Sequence, residues 1–188
     1  LSAPVPDRFD FRGAAFGGGD LSGAELRGRR VVFDGVTFAE GTALSFEGAD
    51  LTDAWISFVG AVFRGDVSFE AAMMRRGLID FERATFAGGT LRFTGFDLRG
   101  GTIRFDRAAL DGGAVSFAGT TFGEDGVVTF DGARFAGSEV SFAGADFSAG
   151  GVVDLAQAES YEVSARFDPW SARPPGLFLP TVGFADDE

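Results

Sequence analysis

The chain contains no cysteine, no histidine, no lysine and no asparagine. Without cysteine there is no disulfide framework and no thiolate nucleophile. Without cysteine and histidine there is no zinc-ligand cluster. Only Ser, Thr and carboxylates are left for nucleophilic catalysis, and no G-x-S-x-G elbow places one of them. All 16 basic residues are arginine, a bias that looks like high-GC codon usage rather than physical selection. No apolar run reaches the length of a membrane span and no signal-peptide pattern is visible, so the expectation is a cytoplasmic protein. The net charge of −12 leaves no basic stripe, which argues against direct nucleic-acid binding. The same charge suits solubility, a basic partner, or imitation of a polyanion.

What is abundant is phenylalanine, 23 residues against two Trp and one Tyr. Phe has no polar atom to satisfy and so suits a closed interior. It recurs about every dozen residues, with Phe33, Phe46, Phe58, Phe69, Phe81, Phe93, Phe105, Phe117, Phe130, Phe142, Leu155 and Phe167 as anchors. A second apolar residue follows five positions after almost every anchor: Phe38, Leu51, Phe63, Met74, Phe86, Leu98, Leu110, Phe122, Phe135 and Phe147. A period sustained over this length marks a solenoid, whose repeats bury their apolar faces only against their neighbours.

Within a unit, Ile103-Arg104-Phe105 reads in, out, in, and Ala108-Ala109-Leu110 repeats that pattern. Strict alternation is a strand period. Glycine pairs at 88–89, 100–101, 112–113 and 150–151 mark corners. A twelve-residue coil is too small for four apolar side chains, so two units per coil are expected, with four short sides. Stacking then predicts four internal columns. The first is Phe33, Phe58, Phe81, Phe105, Phe130, Leu155, and the second Phe38, Phe63, Phe86, Leu110, Phe135. The third is Phe46, Phe69, Phe93, Phe117, Phe142, Phe167, and the fourth Leu51, Met74, Leu98, Phe122, Phe147. About six coils would give a rod on the order of 30 Å long.

The segments Ala14-Ala15-Phe16, Asp20-Leu21 and Ala24-Glu25-Leu26, with Ala49-Asp50-Leu51 and Ala145-Asp146-Phe147, carry a five-residue A-(D/N)-(L/F) pattern. In this the chain resembles the pentapeptide-repeat protein family over roughly residues 11–167. It is similar to the Phe-rich F-x-G-A-x-F-x-G-G-x-V-x-F variant common in actinobacterial members. The resemblance implies an all-β, right-handed quadrilateral parallel β-helix. The two residues inserted after every second pentad are expected to push out alternate corners. Residues 1–10 are read as a lead-in or cap and residues 168–188 as a Pro-rich cap or docking tail. The prolines of that tail argue against a continued ladder. Its Trp170, Leu177, Phe178 and Leu179 are expected to cover the last coil or to dock. Family members that dimerise often use C-terminal elements, so the expectation is a monomer or an end-to-end homodimer.

No motif points to a cofactor, a metal or a catalytic residue, and none is expected. Paired carboxylates could act as acid and base, as in glycosidases, but the acids here follow the anchors, on the solvated side. The nonapeptide of a calcium β-roll does not recur, and the mixed charge of the outward positions argues against ice binding. The acids Asp34, Glu82, Asp106 and Asp131 follow anchors of one column and form a candidate acidic interaction stripe, with Glu47 and Glu70 on the opposite side. Arg83, Arg107, Arg92 and Arg104 dilute it. The expectation is a non-catalytic interaction or scaffold module with a protein partner. The alternative, implied by the resemblance, is a mimic of B-DNA that binds DNA gyrase.

Overall fold

In each rung two inward residues flank one outward residue, and the chain then turns. In the computed structural model, which describes residues 7–161, 165–166 and 173–179, this local pattern builds a four-sided parallel β-solenoid without helices. The first face holds the strands Arg8–Asp10, Arg30–Val32, Ala54–Ser57, Gly77–Asp80, Val152–Asp154 and Leu177–Phe178, together with the C-terminal halves of Asp97–Arg104 and Thr121–Thr129. Every neighbouring pair on this face is parallel and in register, for example Ile56 beside Ile79 and Ile79 beside Ile103. The second face carries Phe38, Phe63 and Phe86 side by side. The third aligns Ser45 with Ser68 and Ser68 with Arg92. The fourth aligns Met74 with Leu98 and Leu98 with Phe122.

The predicted columns are present throughout the described residues. In the first column, rings stack face to face at 5.0 Å from Phe33 to Phe58, 5.0 Å to Phe81, 4.9 Å to Phe105 and 4.8 Å to Phe130. In the third column, the Phe46, Phe69, Phe93, Phe117 and Phe142 rings stack at 4.7–5.1 Å. The two ladders meet edge to face across the interior, Phe58 against Phe69 at 6.4 Å and 87°. Phe167 lies outside the described residues.

Two kinds of corner alternate. After each anchor on the first face the chain makes a tight β-turn, closed by an N–H three residues on that donates to the anchor carbonyl: Ala84 to Phe81 and Ala108 to Phe105, at 3.0 and 2.9 Å. The third turn residue has positive φ. It is Gly at 35, 60 and 132 but Arg at 83 and 107, with φ of 56° and 58°. The inserted residues sit at the other two corners, where Gly pairs let the strand run on. Thr85–Arg92, Asp97–Arg104, Ala109–Ser116 and Thr121–Thr129 each span two faces as one strand. Glycine is demanded there by close approach as well as by φ. A Cβ on Gly113, whose φ is +77°, would lie 1.7 Å from the Gly88 carbonyl oxygen.

Two boundaries differ from expectation. Arg8–Asp10, read as lead-in, pairs with Arg30–Val32, and Phe11 stacks under Phe33 at 4.8 Å, so the ladder starts before residue 11. Leu177–Phe178, read as beyond the ladder, pairs with Val153 and Asp154. Its prolines do not interfere because this rung acts as acceptor: Val153 N–H donates to Gly176 O and Leu155 N–H to Phe178 O, both at 2.8 Å. The rod is therefore about seven turns rather than six.

Truncating a ring in mid-column leaves a gap that the stacked neighbours cannot close. Phe105→Ala is expected to destabilise by about 3–5 kcal/mol in urea unfolding. Ala71→Gly should do the reverse. Ala71 holds φ 53° at an exposed corner, and relieving that strain should stabilise by up to about 1 kcal/mol. A loss of stability on Ala71→Gly would contradict this account of the corners.

Candidate functional site

The residue just before each anchor points outward, and the corner after it presents a free N–H two positions on. The outward side chain accepts from that N–H in most rungs: Asp80 from Glu82 at 3.0 Å, Asp154 from Ala156 at 2.9 Å, Ser68 from Glu70 at 3.2 Å and Ser116 from Ala118 at 3.3 Å. Where that residue is Ser57 or Thr129, the acid of the preceding rung does the work. Asp34 accepts from the Ser57 hydroxyl and from the Val59 N–H at 3.2 Å. Asp106 likewise accepts from the Thr129 hydroxyl at 2.7 Å and the Asp131 N–H at 3.2 Å.

Asp34, Glu82, Asp106 and Asp131 thus lie along one edge of the rod, the corner between the first and second faces. They do not form an even stripe. Val59 takes the position between Asp34 and Glu82. Glu82 sits among three guanidiniums, Arg104 and Arg107 at 3.3 Å and Arg83 at 3.6 Å. Ser57 and Asp80, although they point outward in their rungs, are 3% and 2% exposed because neighbouring rungs cover them. Buried Asp80 is matched by Arg104, with Nε to Oδ1 at 3.0 Å and Nη2 to Oδ2 at 2.5 Å. Asp106, Asp131 and Asp154 have no arginine within ion-pair reach among the described residues. With Thr129 and Gln157 they line a concavity of about 100 Å³. A larger open concavity of about 620 Å³ near the N-terminal end is lined by small neutral residues such as Gly13, Ala14 and Thr42. Among the described residues no three acids are grouped to hold a metal ion, and no helix is long and apolar enough to cross a membrane.

The composition-based reading missed the first face. The residue three before each anchor there is Arg30, Trp55, Leu78, Thr102, Val127 and Val152, one outward row in register. Trp55 is 40% exposed, and the guanidinium carbon of Arg30 lies 3.6 Å from the centre of a Trp55 ring. That contact stands in for a partner to the buried Arg30 Nε, which has no hydrogen bond. The signal was readable: the equivalent row of the third face is Ala43, Asp66, Thr90, Ala114 and Glu139, without a large apolar residue. In the tail, Leu177 is buried, Leu179 rests on the core and Phe178 is 47% exposed on the first face. Trp170 lies outside the described residues.

The model of pentapeptide repeats, in nine copies, matches residues 21–73. Residues 21–73 carry pentapeptide repeats. Outside that matched stretch, coils with the same columns and corners continue through the described residues. Among solved structures, a trypsin-treated variant of QnrB1, a plasmid-mediated fluoroquinolone resistance protein, is similar at 17% identity, over 85% of this chain and 82% of that one, with a TM-score of 0.21. HetL, a pentapeptide repeat protein involved in heterocyst differentiation regulation from the cyanobacterium Nostoc sp. strain PCC 7120, is similar at 15% identity, over 73% and 71%, with a TM-score of 0.18. No curated protein matches the sequence.

Replacing Arg104 by Met strands the buried carboxylate of Asp80. Arg104→Met is expected to cost about 2–3 kcal/mol in urea unfolding, whereas exposed Arg75→Met should change stability by less than about 0.5 kcal/mol.

Several corner aspartates are held below the ordinary carboxylate range. Asp10 is held down by the Arg12 side chain and N–H, Asp20 by Ser22, and Asp146 by Ser148. Burial would raise Asp50, but hydrogen bonds from Thr52 and Arg27 outweigh it and lower it. A depressed carboxylate lends stability that is present above its unfolded value near 3.9 and is lost as pH falls through the folded value. With no histidine, urea midpoints should be level from about pH 8 to about pH 5 and fall below about pH 4. A break near neutrality would contradict this assignment.

Proposed function

We propose that the chain is a non-catalytic interaction or scaffold rod that works through its outer faces. The observation that carries this reading is where the polar groups go. Most carboxylates and hydroxyls beside the anchors cap corners or pair with arginine, and the concavities on the surface are small or open. A catalytic site would need a concave pocket with a nucleophile and a base converging on it. A protein that must present flat faces needs only a rigid core, and the double phenylalanine ladder supplies one. The partner bound in this way is a protein, and no cofactor takes part.

Mimicry of DNA, with gyrase as the target, is the second reading, and the run Asp106, Asp131, Asp154, which makes no ion pair among the described residues, favours it locally. Magnitude sets it behind the first. DNA carries about one negative charge per 1.7 Å of its axis, whereas this edge carries at most one per rung of about 4.8 Å. Arginines around Glu82 reduce the density further.

Two measurements test the pair of readings. A photo-cross-linking residue placed in turn at Trp55, Ser68 and Asp131 should give a discrete protein adduct in the native cell from one position. No adduct from any position would overturn the interaction rod. In a gyrase supercoiling assay, tens of micromolar protein should be without effect. Inhibition that disappears in the double variant Asp131→Ser and Asp154→Ser would instead establish mimicry.

A further inference from the structure

Arg30 has no carboxylate partner. Its guanidinium carbon lies 3.6 Å from the centre of a Trp55 ring, its Nε is buried without a hydrogen bond, and its two Nη groups donate to nothing among the described residues. Arg64 and Arg75 lack an ion pair too, but they are exposed corner residues, whereas Arg30 lies half-buried within a strand. Around Arg30 the charge balance of the chain reverses. Four arginines, Arg8, Arg12, Arg29 and Arg30, share two acids, Asp7 and Asp10, in a chain whose net charge is −12. The next acid, Asp34, is turned onto the Ser57 hydroxyl and the Val59 N–H, and Asp53 is held by Arg76.

Next to Arg30 in the same outward row come Trp55, exposed, and Leu78, half-buried. Beside Leu78 the surface closes, because buried Asp80 and Arg104 neutralise each other, so the platform is confined to Arg30, Trp55 and Leu78. We propose that this platform binds an extended segment of another protein, which presents an Asp or Glu to Arg30 and a bulky apolar side chain to Trp55 and Leu78. This deepens the interaction reading above, on which it rests, by naming the surface and the chemistry of its partner. Trp and Arg are the residues on which binding energy concentrates. The open Nη fork accepts a carboxylate through two parallel hydrogen bonds. The Trp55 ring already fixes the plane of that fork, so little freedom is lost on binding. Acids elsewhere on the rod repel such a segment, and the local excess of arginine directs it to this end.

The spacing of the row sets the spacing of the partner's residues. With rungs about 4.8 Å apart, the midpoint between Trp55 and Leu78 lies about 7 Å from Arg30 along the rod. In an extended segment, side chains two residues apart share a side and stand about 6.6 Å apart. The recognised pattern is therefore an acid and an apolar residue separated by one residue, in either order, since spacing sets no chain direction. Three side chains offer far less than the roughly 800 Å² per partner of a stable interface, so the segment alone binds weakly.

The probe is a blocked peptide, acetyl-Gly-Glu-Ser-Leu-Gly-amide, titrated to millimolar concentration at low salt into nitrogen-15-labelled protein. The chain has two tryptophans, so the Trp170→Phe background leaves the Trp55 indole N–H as a single resonance, and its saturable shift is the expected result. The peptide with Gln for Glu, and the peptide with Ser and Leu exchanged so that acid and apolar residue are adjacent, should bind about three- to tenfold more weakly. Arg30→Met should lose the same factor and the preference for Glu over Gln, with the urea midpoint of the parent retained. The comparison of Glu with Gln needs no change at Arg30, so the proposal is tested even where Arg30→Met fails to fold. Equal binding of the Glu and Gln peptides overturns it, as does a preference for Glu that survives Arg30→Met, or no shift at Trp55. In those cases photo-adducts from Ser68 or Asp131 would still uphold the interaction rod, and their absence would remove the rod reading itself. A dimer in sedimentation velocity that dissociates in Arg30→Met would put a second copy on the platform and overturn the proposal as well.

Discussion

The spacing of parallel strands, about 4.8 Å, is also a good distance for stacking aromatic rings, and the rest of this structure depends on that coincidence. Rings in the first and third columns stack at 4.7–5.1 Å, the interval the backbone ladder imposes. Hydrogen bonding and side-chain packing therefore ask for the same translation, and neither is strained to satisfy the other. Phenylalanine fits this role better than tyrosine or tryptophan, because a ring with neighbours above, below and at its edge has no room for a polar atom and its partner. Thr120, in the small position of one rung, meets the same demand by donating its hydroxyl to the Phe93 carbonyl at 2.7 Å.

The outside is organised by the corners. A tight turn leaves an N–H two residues past each outward position, and that N–H sets the taste for Asp and Ser there. The acids of one edge then do two jobs. Asp34 and Asp106 cap the next rung, while Glu82 pairs with Arg104, the arginine that matches Asp80. Charge on such an edge is thus partly structural, and net charge alone overstates what the surface offers a partner.

Most of the fold was legible in the sequence because its determinant is periodic and local. The anchors Phe33 to Leu155 assign columns without any knowledge of corners. What was not legible depended on the third dimension or on ends. The exposure of Asp80 could not be read from its outward phase, since Arg104, a full coil later in the chain, covers it. The last rung is not legible from its prolines, which lack a donor, because Leu177–Phe178 joins the ladder through carbonyls. The apolar row at Trp55 and Leu78 is legible as the residues three before the anchors Phe58 and Phe81.

Because each column repeats by one fixed vector, the distance between any two surface groups is set by how many coils separate them. The fold is therefore a ruler graduated in steps of roughly 4.8 Å. Duplicating or deleting a whole coil, such as the segment between Phe81 and Phe105, would restore the same stack of rings on either side of the splice. Evolution can then lengthen or shorten the molecule, and retune the separation between its two ends, without redesigning its interior.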